Sequence, residues 1–120
     1  YIFVLSIMED FNKILYRIIG ERVSQRRKEL GLTQKELSKK TASIGRSSIS
    51  NIEKGNQQPG LHTLYIICST LDVDVQRILP TYNEVVSKSN SKQHEMFKLL
   101  ESTDTDELTK NAIKELMSKK

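Results

Sequence analysis

One arginine, three serines and one asparagine stand together at Arg46, Ser47, Ser48, Ser50 and Asn51, with Ile49 and Ile52 set among them. Isoleucines three apart fall on one side of a helix. With those two turned inward, Arg46, Ser47, Ser50 and Asn51 share the outward side. An arginine fork pairs bidentately with a guanine edge, an asparagine amide pairs with an adenine edge, and a serine hydroxyl is permissive. A good bidentate pair discriminates by roughly 1–3 kcal/mol, so Arg46 and Asn51 should carry most of the selectivity of such a face. Ser48 stands closer to the backbone and suits a phosphate contact, while local capping of the helix is the plain alternative for each serine. A second polar site opens at Thr33 and Gln34. Free N–H groups and the positive dipole end at a helix start there would seat a phosphate. Gln34 would add a neutral donor, or stand as an ordinary first-turn residue.

Several elements must hold these groups in place. A helical pattern runs from about Asp10 to Leu30 and stops at Gly31, a good residue for a left-handed helix end. Thr33 and Glu36 form a T-x-x-E capping box that opens a short helix to about Lys40. Thr41 to Gly45 reads as a turn, and a third helix spans about Arg46 to Lys54, ended by Gly55. Asn56 to Gly60 is a loop carrying Pro59. A fourth helix covers about Leu61 to Leu71, with Leu61, Leu64, Tyr65, Cys68 and Leu71 on one face. Asp74 is placed to cap a last short helix through Leu79, before Pro80. The polar stretch 87–92 reads as linker. Two amphipathic patterns follow, at 94–100 and from about Asp104 to Ser118.

Two short helices joined by a tight turn, the second flanked by basic and small polar residues, are the sequence image of a helix-turn-helix. From Ile19 to Pro80 the chain resembles the Cro/phage-repressor helix-turn-helix family (XRE type). The matching pieces are Ile19-Gly20-Glu21-Arg22-Val23, the run Arg27 to Leu37, the run Ser48 to Gly55, Pro59, and Leu71-Asp72-Val73. The resemblance implies that Arg46, Ser47, Ser50 and Asn51 read bases. It implies phosphate contacts from Thr33, Gln34 and Ser48, and from Lys54, Asn56 and Gln57 in the following loop. It also implies that Arg27 and Glu53 form a structural ion pair tying the first helix to the end of the third. Arg22 and Arg26, with Lys35 and Lys39, would extend a basic rim. The turn departs from the family: Thr41-Ala42-Ser43 replaces the usual apolar-Gly connection and is one residue longer.

Composition agrees with this reading. The chain has 120 residues, 37% hydrophobic and 28% charged, which fits one small domain with appendages better than a membrane or disordered protein. Two prolines, five glycines and no tryptophan favour helices over turn-rich β structure. Residues 20–60 hold nine Lys+Arg against four Asp+Glu, a concentration that points to a polyanion partner. His62, His94 and the lone Cys68 have no metal-ligand spacing, and no phosphate-cradling or nucleophile motif is present. No enzyme, cofactor or metal is expected. The single cysteine suits a reducing cytoplasm.

The ends are less constrained. Tyr1 to Met8 is a greasy run too short to span a bilayer. It is either an added segment before a natural start at Met8, or part of a helix whose wide apolar stripe (Ile7, Phe11, Ile14, Ile18, with Leu15, Ile19 and Val23) needs a partner helix. In the tail, Met96, Phe97, Leu100, Leu108, Ile113, Leu116 and Met117 suit a dimer or partner interface, with folding back on the domain as the alternative. The expected organisation is all-α. An N-terminal extension (1–17) leads into a five-helix domain that reads double-stranded DNA (18–82), followed by a linker (83–93) and a helical pair (94–120). The expected function is that of a dimeric cytoplasmic repressor on a palindromic operator. The alternative is an antitoxin or partner-sensing regulator whose tail binds another protein.

Overall fold

The computed structural model describes residues 2–89, 111–112 and 114–116, with side chains from residue 10 onward. Helix α1 runs unbroken from Ile2 to Glu29, longer than the pattern from Asp10 suggests. Its buried residues Ile14, Ile18, Ile19, Val23 and Arg27 recur at helical spacing. A Schellman ending stops it. Gly31 takes φ 71, its N–H donates to Lys28 O at 3.0 Å, and Leu32 N–H donates to Arg27 O at 3.1 Å.

Helix α2 (Gln34–Thr41) begins with the expected capping box: Thr33 Oγ1 accepts from Glu36 N–H at 3.1 Å, and Glu36 Oε1 accepts from Thr33 N–H at 3.3 Å. Its Leu37 is fully buried. The turn after it holds Ala42 at φ 62, where the family pattern would place glycine. Side chains close that turn. Ser38 Oγ donates to Ile44 O at 2.7 Å, and Thr41 Oγ1 donates to Ser38 O at 2.9 Å. A left-handed L-residue costs roughly 1–2 kcal/mol, partly offset here by the lower unfolded-state entropy of alanine. Ala42→Gly is therefore expected to raise stability by about 0.5–1 kcal/mol, read as a melting temperature a few degrees higher.

Helix α3 (Arg46–Glu53) puts Ile49 and Ile52 in the core, and α4 (Leu61–Thr70) adds Leu64, Ile67 and Cys68. The buried face of α4 differs from the expected one. Leu61 and Tyr65 are 70% and 60% exposed, and Ile67 takes the central place between Leu64 and Leu71. The apolar residues of α4 go most of the way round the helix, so periodicity alone leaves its inward face ambiguous. Helix α5 (Val75–Ile78) seats Ile78 in the core, and Asp74 stands at its N-cap without the expected side-chain hydrogen bond.

The stretch expected as linker from residue 83 is helical through residue 89, forming α6 (82–89). A second capping box starts it, with Thr81 Oγ1 accepting from Glu84 N–H at 3.2 Å and Glu84 Oε1 accepting from Thr81 N–H at 3.3 Å. Val85 packs against Ile14 and Ile18, and the Phe11 and Tyr82 rings lie 5.7 Å apart. From Phe11 to Ile18 the α1 stripe therefore finds its cover in α6 of the same chain. Residues 111–112 and 114–116 are helical, and Leu116 is 40% exposed. The other apolar tail residues of interest, Met96, Phe97, Leu100, Leu108, Ile113 and Met117, lie outside the described side chains, as does Ile7.

Candidate nucleic-acid interface

The candidate surface lies on the outward side of α3. Ile49 and Ile52 are 0% and 1% exposed, which fixes the rotation of the helix about its axis. Arg46, Ser47 and Asn51 are consequently exposed, and Ser48 and Ser50 half-buried. Gly45 is the N-cap and supplies no side chain, so neither Ser47 nor Ser48 caps this helix. Beyond α3, Gly55 takes φ 78 and the chain folds back on Asn51, whose carbonyl accepts from Asn56 N–H at 2.9 Å and Gln57 N–H at 3.3 Å. Those two backbone donors are thereby engaged. Any phosphate contact from Asn56 or Gln57 must come from their exposed side chains, beside exposed Lys54.

Arg27 and Glu53 join across 26 residues. Arg27 Nε donates to Glu53 Oε2 at 2.8 Å and Nη2 to Oε1 at 2.9 Å, while Nη1 donates to Leu32 O at 2.6 Å. Their side chains are only 10% and 6% exposed. Burial pushes the Glu53 carboxyl up, but hydrogen bonds from Arg27, Gln34 and Ser24 with the Arg27 charge outweigh it and hold the group below the usual carboxylate value. The hydrogen bond to Glu53 leads the effects that raise Arg27 above its ordinary value. Both groups stay charged. The pair thus ties the end of α1 to the end of α3, and Arg27 adds the α1–α2 link through Leu32 O.

Gln34 belongs to this cluster as well, its Nε2 donating to Glu53 Oε1 at 3.2 Å. One amide hydrogen is used and a second remains. Thr33 accepts the capping bond and keeps its hydroxyl proton to give. Gly31, Leu32, Thr33, Gln34, Lys35 and Arg46 line one shallow groove between the starts of α2 and α3. The phosphate-seat and base-reading candidates are therefore neighbours in space.

Arg22 and Arg26 do not join the basic rim. Arg22 pairs with Glu84 and donates to Arg77 O, and Arg26 Nε and Nη2 donate to Leu71 O at 2.9 Å and Asp72 O at 3.0 Å. Both clamp α1 to the α4–α5 link and α6. The sequence alone places them on the surface, because nothing local reveals partners 45 to 62 residues away. With Arg27 also committed, Lys28, Lys35, Lys39, Lys40, Arg46 and Lys54 are left as the exposed cations of residues 20–60.

Gly20 is a packing position that residue chemistry does not reveal. A Cβ there would stand 2.3 Å from Ile52 O and 2.6 Å from Glu53 O, so only glycine lets α1 touch the end of α3. The only sequence signal is its place in the Ile19-to-Val23 piece of the resemblance. Among the described residues no group of His, Cys, Asp and Glu could hold a metal ion, and no helix is long and apolar enough to cross a membrane.

Comparison with known proteins gives concordant findings. The helix-turn-helix family model matches residues 23–78. The HTH-type transcriptional regulator SinR of Bacillus subtilis (strain 168) is 31% identical over 101 residues, 83% of this chain and 89% of that protein. The immunity repressor protein of Bacillus phage phi105 is 33% identical over 78 residues, and the match spans 62% of this chain and about half (54%) of the repressor. Two solved structures share the fold. The restriction-modification controller protein C.AhdI from Aeromonas hydrophila covers 53% of this chain and 96% of its own, at TM-score 0.51 and 22% identity. The clp gene regulator ClgR from Corynebacterium glutamicum covers 72% and 90%, at TM-score 0.54 and 20% identity.

Proposed function

Because this chain belongs to the XRE-type helix-turn-helix family of transcriptional regulators, we propose that it is a repressor that binds double-stranded DNA sequence-specifically through α3. The observation that carries this is the division of α3 into a buried isoleucine side and an exposed side bearing Arg46, Ser47 and Asn51. The Arg27–Glu53 bond holds that helix at a fixed angle to α1 and α2. In the complex, α3 lies in the major groove, with Arg46 and Asn51 on base edges and Ser47 and Ser50 beside them. Thr33, Gln34, Ser48, Lys54, Asn56 and Gln57 meet the flanking phosphates. Two protomers bind a palindromic operator in the cytoplasm, their half-site centres about 10 bp apart. Repression follows from occluding polymerase.

Selection of bound duplexes from a random DNA pool tests this directly. The expected product is a palindrome with that spacing, and a pool without enrichment would refute the reading. If each protomer neutralises ~4 phosphates, the log–log salt dependence of binding by a dimer should have a slope near −7. Affinity that hardly changes between low and moderate salt would count equally against it.

A further inference from the structure

Helix α1 continues for many residues before the segment that the helix-turn-helix family model matches, which begins at residue 23. This extension is fastened to the domain. Ile14 and Ile18 are buried with Val85 of α6, and Phe11 packs on Tyr82. Lys13, Gly20, Ser24 and Arg27 succeed one another at helical spacing, and Gly20 and Arg27 both face the end of α3. Lys13 therefore lies on the face turned toward the end of α3, and exposed Arg17 lies one turn along from it.

The loop after α3 comes close to this row. A Cβ on Gly55 would stand 3.0 Å from Arg17 Cα, so the backbone beside Lys54, Asn56 and Gln57 lies almost on the extension. Among the described residues Arg17 pairs with Glu21, at 4.0 Å, and both side chains are about half exposed or more. An exposed pair at that separation is weak and readily exchanged for a phosphate. Asp10, one turn before Lys13, is half-buried, and Glu53 at the far end of the row is committed to Arg27.

We propose that Lys13 and Arg17 bind DNA phosphates beside those met by the α3–α4 loop, so that the extension of α1 lengthens the footprint beyond the half-site read by α3. The proposal rests on the DNA-binding reading above. Because the two cations ride on a packed helix, they are set in place before binding, unlike the charges of a loose arm.

The test uses the full chain, the duplex enriched by selection, and a second duplex trimmed at both ends to the palindrome. Lys13→Gln/Arg17→Gln is expected to flatten the log–log salt slope by about 1 for each phosphate no longer neutralised, weakening all sequences alike and leaving base preference unchanged. Trimming should weaken the wild type and leave the variant nearly unaffected. Lys88→Gln, an exposed charge on α6, is the control for net charge and should keep the wild-type slope. Both substituted side chains are exposed, and an unchanged melting temperature would verify the fold. A wild type that selects a palindrome while the variant keeps the full slope and length dependence would overturn this proposal alone. A wild type with no sequence preference would overturn both readings.

Discussion

Glu53→Ala is expected to destabilise the protein by about 3–5 kcal/mol, the usual penalty for removing one partner of a buried ion pair. The Arg27 guanidinium would remain buried with only Leu32 O to receive its hydrogen bonds. The Gln34 amide would lose its acceptor too. A domain of this size is stable by roughly 5–15 kcal/mol, so the loss takes a large share of the total. Urea unfolding measures it, and a shift below about 1 kcal/mol would show that the pair is not holding the fold. Acid should act through the same group. Its folded value lies below the usual 4.5, so its contribution is complete above that pH and fades as pH falls through the folded value. Glu53→Gln keeps the shape without the charge. Its stability should start lower and decline less steeply in acid than that of the wild type.

The second large effect concerns selectivity. Arg46→Ala and Asn51→Ala should each cost about 1–3 kcal/mol on the selected duplex, or roughly 5- to 150-fold in affinity. Neither should disturb folding. Both side chains are exposed, and Asn51 anchors the following loop through its backbone carbonyl, which alanine retains. Their signatures differ because one side chain is charged. Arg46→Ala should relax preference at one base pair and also flatten the salt slope. Asn51→Ala should relax a different position and leave the slope nearly intact. A panel of duplexes with single-base changes separates the two. Equal loss on every duplex from Asn51→Ala would assign it to the backbone and remove it from the base readers.

Much of this architecture is legible locally. The Thr33–Glu36 capping box, the glycine stop at Gly31 and the inward pair Ile49 and Ile52 follow from hydrogen-bond chemistry and helical period within a few residues. The second capping box at Thr81 and Glu84 is equally local and marks the chain as helical where its composition suggests a linker. The polar run from Ser87 conceals it.

Other features depend on what distant segments do to one another. The cations of residues 20–60 are a sequence property, but which of them face solvent is decided by packing, since Arg22 and Arg26 find acceptors only when α4, α5 and α6 close against α1. The role of Gly20 is of the same kind, because a missing Cβ has meaning only once Ile52 O and Glu53 O occupy its space. By itself, the sequence determined where helices start and stop, which side of α3 turns inward, and the family whose motif the chain carries. Tertiary structure alone decided the inward face of α4, the internal cover of the α1 stripe and the linkage of Gln34 to the ion pair. The reason is physical: caps and periods act within a turn or two, whereas burial and charge pairing belong to surfaces made by elements far apart in the chain.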